Sequence, residues 1–241
     1  MLPPQIQSAL ATLSRIPYEN LSKVIKFHAE KDVHQSLRTP EELLRGHRQE
    51  GTGGTCFSLT WFLWKHLGAQ GLPVYPVLCD RTYGKNTHCG VVLEWEGKKY
   101  LLDPGYLSFV PIELNEQGGS SVETVYNKIE LLPEDTGRFR LQTVYGGETK
   151  ARFTLKDAPV SGQELLHAWE GSFLKEAMNY PVVTLLKGDA HLYFQKETLY
   201  VRRKGGSEKF RVDKKAMPEA LSKHFGISPE VTARARELFY G

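Results

Sequence analysis

Three residues in the first half of the chain have types and spacing suited to covalent chemistry. Cys56 sits in Gly53-Gly54-Thr55-Cys56-Phe57, ahead of a long apolar run from Phe57 to Leu67. That pattern predicts a cysteine at the start of a buried helix. A helix N-terminus carries free N–H groups and a partial positive charge, which favour thiolate, the reactive form of cysteine. The two glycines let backbone approach closely. Further along lie His88, in Asn86-Thr87-His88-Cys89-Gly90, and Asp103, in Leu101-Leu102-Asp103-Pro104-Gly105. A histidine to take the thiol proton and a carboxylate to orient its ring are the standard means of activating a sulfur nucleophile.

The elements between these residues bring two of them together. His88 to Trp95 and Lys99 to Asp103 read as strands, with Glu96-Gly97-Lys98 as the hairpin turn. The start of one strand and the end of the next are neighbours in an antiparallel pair, so this register sets His88 opposite Asp103. Strand alternation then turns Cys89 away from the cleft, and Cys79 and Cys89 are expected to be structural. No close pair of cysteines marks a metal site, and none is expected.

The rest of the chain reads as mixed helix and strand. Residues 4–14 form a short helix with Ile6, Leu10 and Leu13 on one face. Residues 22–39 look polar and irregular, with His28 and His34 on the surface. Thr39-Pro40-Glu41-Glu42 starts a second helix, Thr39 capping and Pro40 in the first turn. The helix after Cys56 is apolar nearly all round and ends near Gly68. From Pro73 the period changes to two, with 80–86 as a loop. Phe109 to Ile112, Val122 to Leu132, Phe139 to Tyr145 and Thr149 to Leu155 are extended, suggesting a small barrel or curled sheet. Residues 163–178 form a helix, followed by four short strands between 182 and 212 and two C-terminal helices.

The chain has 241 residues, 40% hydrophobic and 24% charged, with a formal net charge of +3. This is ordinary for a globular protein and too weakly basic to argue for nucleic acid. The densest basic run, Arg202-Arg203-Lys204 with Lys209, Arg211, Lys214 and Lys215, reads as a solvated strand pair, with a phosphate contact as the alternative. No secretory leader or membrane-length apolar run is present. Three cysteines without a leader predict reduced thiols and a cytoplasmic protein.

The segments Ile16-Pro17-Tyr18-Glu19-Asn20-Leu21, Gly53-Gly54-Thr55-Cys56-Phe57, His88 opening an apolar strand, and Tyr100-Leu101-Leu102-Asp103-Pro104-Gly105-Tyr106 together resemble the arylamine N-acetyltransferase family. They cover about the first half of the chain in the family's order. The resemblance implies an α+β fold like that of cysteine proteinases: a helical bundle over 1–72 carrying the nucleophile, an antiparallel β-barrel over 73–180 carrying His88 and Asp103, and an α/β lid over 181–241. It implies a ping-pong acyltransferase whose co-substrate is acetyl-CoA, or another acyl-CoA, and whose acceptor is an arylamine, arylhydrazine or related small amine. No permanently bound cofactor, nucleic-acid or membrane partner is implied. Cys56, His88 and Asp103 would be catalytic, with Phe57, Tyr106 and Phe109 as candidate substrate contacts. The chain departs from the family pattern at Thr52, where the family carries arginine, and at Ser58, where it carries glutamate. After Asp103 it has Pro104-Gly105-Tyr106 in place of Val-Gly-Phe-Gly. The same Cys, His, Asp order also suits a transglutaminase-like or papain-like amide hydrolase, and a non-catalytic binding module could keep the same fold.

Overall fold

A computed structural model describes all 241 residues. Helix α1 (Pro4–Leu13) buries Ile6, Ala9, Leu10 and Leu13 at helical spacing. A two-residue strand, β1 (Tyr18–Glu19), follows. Next comes α2 (Leu21–Glu30), in a stretch whose sequence reads as irregular. Its buried face is short, Leu21, Lys23 and Val24, and the rest is polar, so the periodic signal is weak. Tertiary packing supplies the difference, because Leu21 joins a core formed with C-terminal residues such as Val183, Leu221 and Ala235. His28 and His34 are exposed.

Helix α3 (Pro40–Glu50) begins as its sequence requires. The Thr39 hydroxyl accepts from the Glu42 N–H, and the Glu42 carboxylate accepts from the Thr39 N–H. Helix α4 (Cys56–Ala69) is apolar nearly all round, and Phe57, Leu59, Leu63 and Leu67 are each at most 1% exposed.

Eight strands then form one antiparallel sheet: β2 (Val74–Arg81), β3 (Gly84–Trp95), β4 (Lys98–Asp103), β5 (Ser108–Glu113), β6 (Ser120–Glu123), β7 (Lys128–Asp135), β8 (Arg138–Tyr145) and β9 (Glu148–Lys156). Their order is β5-β4-β3-β2-β9-β8-β7-β6, and the end strands β5 and β6 approach each other without pairing, which makes a nearly closed barrel. The expected α+β fold holds. Within it, the expected single piece Val122–Leu132 is two strands, β6 and β7. Between them Thr124 accepts from and donates to the Asn127 backbone in a side-chain-built turn. The expected loop over 80–86 is a tight connection, with Arg81 paired to Gly84 after an irregularity at Cys79–Arg81.

Helix α5 (Gly162–Gly171) ends earlier than the expected 178, and 3-10 turns at Ser172–Leu174 and Glu176–Asn179 continue the chain. Strands β10 (Val182–Lys187), β11 (Ala190–Gln195), β12 (Thr198–Arg203) and β13 (Gly206–Arg211) form a second antiparallel sheet, with β1 added beside β10. Helices α6 (Met217–Phe225) and α7 (Pro229–Tyr240) complete the chain and share a core with this sheet. The basic run lies on the β12–β13 hairpin, where Arg203 pairs with Asp189 and Glu208 and Arg211 with Glu197. No helix is long and apolar enough to cross a membrane.

Candidate active site

The nucleophile loop is held from behind by the segment before α2. The Glu19 N–H donates to the Gly54 carbonyl at 3.0 Å, and the Gly54 N–H to Pro17 at 3.3 Å. The Glu19 carboxylate is fully buried and accepts from the Gly53 N–H at 3.0 Å, from the Ser22 N–H and from the Ser22 hydroxyl. The Arg38 guanidinium lies 3.8 Å from that carboxylate and donates to the Gly53 carbonyl. Both polar groups of Gly53 are thus clamped by one buried charge pair. A side chain on Gly53 would overlap the Pro17 carbonyl, so only glycine fits. Arg38 reaches this place from the α2–α3 connection, while the Thr52 hydroxyl beside the loop is buried with no hydrogen-bond partner.

Cys56 opens α4 and is 4% exposed. His88 on β3 and Asp103 at the end of β4 are fully buried. Asp103 accepts from His88 Nε2 at 2.7 Å through one oxygen and from the Tyr106 N–H at 2.9 Å through the other. The second bond caps the 3-10 turn Pro104–Tyr106 and fixes the carboxylate's angle. The first places the imidazole proton on Nε2 and leaves the Nδ1 lone pair for other partners. The ring lies tilted against Phe153, centroids 4.6 Å apart, with the Tyr106 ring edge-on at 6.4 Å.

The hairpin register differs from the expectation. β3 and β4 pair Trp95 with Lys98 and Val91 with Leu102 around a two-residue Glu96–Gly97 turn. Continuing that register sets Gly90, not His88, across from Asp103. The contact forms nonetheless, because a shift of two residues keeps a side chain on the same face of the strand. Gly105 closes the arrangement: a methyl group added there would lie 2.5 Å from Cys56 Cβ and 3.3 Å from His88 Cε1. The turn after Asp103 thus packs directly on both other members of the set.

The electrostatics favour a thiolate at Cys56. The adjacent Cys89 thiol holds the Cys56 pKa well below the ordinary thiol value, against burial, and His88 and Arg81 act in the same direction. Contact with Cys56 corrects the expected place of Cys89. Alternation does put Cys89 on the other face from His88, but the start of α4 packs on that face, so Cys56 touches both. Burial pushes the Cys79 and Cys89 thiols well up. His88 is raised despite burial and despite the Arg81 charge, because Asp103 holds its protonated form and Cys56 adds to that.

Arg81 was not legible as a site residue. It follows the irregularity in β2, and its guanidinium donates to His88 Nδ1 at 2.9 Å and to the Tyr83 hydroxyl at 2.6 Å. Only the tight β2–β3 connection, which its sequence hides as a loop, aims it back at the site. Of the three aromatic candidates, Phe57 lines the cleft beside Cys56, Tyr106 borders the His88 ring, and Phe109 packs on the core between α1 and α4, away from the cleft. No group of three His, Cys, Asp or Glu side chains is placed to hold a metal ion.

A family model described as N-acetyltransferase matches residues 6–234, nearly the whole chain. The chain belongs to the arylamine N-acetyltransferase family. No curated protein sequence matches this family member. Among solved structures it is similar to the arylamine N-acetyltransferase of Mycobacterium tuberculosis, at 21% identity and a TM-score of 0.78 over 97% of this chain and 92% of that one. It is also similar to the Mycobacterium marinum enzyme in complex with CoA, at 19% identity and a TM-score of 0.77 over 93% and 87%. A third is the Bacillus cereus enzyme described as having a unique Cys-His-Glu catalytic triad, at 19% identity and a TM-score of 0.73 over 95% and 92%. At such identities the likeness speaks for the fold, which this arylamine N-acetyltransferase family member shares over nearly its full length.

Proposed function

We infer that this family member moves an acetyl group from acetyl-CoA to a small amine, using Cys56 as nucleophile, His88 as base and Asp103 as the group that orients it. The observation that carries the reading is the 2.7 Å bond from His88 Nε2 to Asp103, which orients the ring beside a cysteine whose thiol pKa is strongly lowered. The Cys56 thiolate attacks the thioester carbonyl, CoA leaves as its thiol by taking the proton that His88 drew from Cys56, and acetyl-cysteine and a neutral His88 remain. The incoming amine attacks that carbonyl, His88 takes the amine proton, and the Cys56 thiolate is released. The free N–H groups at the start of α4 are available to the oxyanion of each step. The Bacillus cereus enzyme is described as having a Cys-His-Glu triad, and in this chain Asp103 is the acidic member of the set we propose.

An acyl-CoA donor and a small arylamine or arylhydrazine acceptor fit this site, consistent with the CoA complex of the Mycobacterium marinum protein. Three free, buried cysteines suit the reducing cytoplasm, where we place the protein. Initial-rate kinetics with acetyl-CoA and an arylamine test the reading. Parallel double-reciprocal lines are expected for a ping-pong transfer. Intersecting lines, or release of acetate at a rate the amine does not change, would contradict it.

A further inference from the structure

The cleft beside Cys56 has a charge imbalance that acetyl transfer to a neutral amine does not use. Its wall includes Lys23, Arg81 and Lys175, and no Asp or Glu. Lys23 is the unusual member. It projects from α2, is 6% exposed, donates to the Ser172 hydroxyl at 2.6 Å and lies 4.0 Å from the Phe173 ring centre. It makes no ion pair, and the one charge that acts on it appreciably is Cys56 itself. Burial without a counter-ion pushes its pKa down to about 7.

Asn20 and the other buried cation of this wall are engaged. Asn20 donates to the carbonyls of Ala177 and Tyr180 and accepts from the Val182 N–H, so it builds the wall. The Arg81 guanidinium is engaged with His88 and Tyr83. Lys175 is exposed at the rim. Lys23 is therefore the buried cation that holds no part of the catalytic set and has no counter-ion. Phe57, Ala168, Met178 and Val182 supply apolar surface beside it. One ammonium set into an apolar wall matches one negative charge on an apolar body. A dianion such as phosphate would need a second cation, and Arg81 is occupied.

We propose that Lys23 is the recognition residue for a substrate carboxylate, so that the group placed beside Cys56 carries a carboxylate on an aromatic or aliphatic body. The proposal rests on Cys56 being where substrates meet. Two sources share this chemistry: an amine acceptor such as an aminobenzoate, or an acyl chain ending in a carboxylate.

The direct test needs no transfer chemistry. Benzoate and benzamide are compared as protectants of Cys56 against iodoacetamide, in the wild type and in Lys23→Met and Lys23→Gln. Benzoate should protect the wild type at a concentration lower by about tenfold, the size expected for a hydrogen bond between charged groups. In both variants the ratio should fall to within about twofold. Equal protection by the two compounds in the wild type, a result that no folding defect can mimic, would overturn the proposal. So would a benzoate preference unchanged in the variants, which would assign it to Arg81 or Lys175. Two arms then separate the sources: turnover of 4-aminobenzoate against 4-aminobenzamide, and Cys56 acylation by succinyl-CoA against butyryl-CoA. The preference should reside in one arm and vanish with Lys23. If acyl transfer fails while benzoate protection persists, the proposed function falls and the carboxylate site stands. The converse result removes only the site.

Discussion

Two buried histidines in this molecule have opposite electrostatic settings. His88 lies on β3 of the barrel and is fully buried; His191 lies on β11 of the second sheet and is 6% exposed. Both accept contact from an arginine, Arg81 in one case and Arg202 in the other. His88 also has Asp103 at 2.7 Å, and its pKa is raised. In place of a carboxylate His191 has the Thr184 hydroxyl at 2.7 Å and a stacked Tyr126, and burial pushes its pKa down to about 3, with Arg202 and Arg152 adding to the effect. Burial by itself makes a histidine an inert neutral ring. The carboxylate is what turns the same ring into a base that can hold a proton at neutral pH.

Removing the carboxylate should therefore have the largest effect. Asp103→Asn keeps the shape but offers His88 the wrong partner, and kcat/KM for acetyl transfer should fall by about 10³–10⁴-fold. His191→Gln should leave it within about twofold. Equal losses in the two variants would break the contrast.

The two rings should also differ in how they tie stability to pH. His191 is neutral in the folded state and takes a proton readily once unfolded. Its contribution is fully present above the unfolded value of about 6.5 and is lost as pH falls toward 3, on the order of 5 kcal/mol in all. His88 runs the other way: the fold favours its protonated form, so its contribution is present at low pH and is lost as pH rises through its folded value. Urea unfolding of His191→Gln should show a flatter acid limb than the wild type. An unchanged slope would show that His191 does not control it.

Gly105→Ala sharpens the geometric side. Its methyl group would lie 2.5 Å from Cys56 Cβ, so the turn or α4 must move. A misplacement of about 1 Å in a catalytic set costs about 10²-fold in kcat/KM. A smaller effect is expected from Arg81→Met. It removes one cation that favours the thiolate, and the apparent pKa read from the pH profile of Cys56 alkylation should rise. Cys79 and Cys89, with raised pKa values, should stay unmodified throughout.

Much of this site could be read from residue types. Cys56 at a helix start, the Thr39 cap and the neighbouring strands of His88 and Asp103 follow from local signals. The hairpin register was displaced by two residues, an error that strand periodicity forgives. What local signals hide is set by packing at long range. Helix α2 has too short an apolar face to announce itself, and its partner is the C-terminal core some two hundred residues away. Lys23 reads as an ordinary surface lysine until α2 turns it inward. Arg81 reads as a loop residue until the tight turn aims it at His88. Cys89 obeys alternation, yet α4 covers the face to which it points.

The central claim is that Cys56, made reactive by His88 and Asp103, carries the acyl group. Mixing the protein with acetyl-CoA and measuring its intact and peptide masses tests this most directly. The account predicts one added acetyl group, located on Cys56, absent in Cys56→Ala and discharged by an arylamine. A protein that gains no acetyl group, or gains it on another residue and still transfers it in Cys56→Ala, would contradict the account.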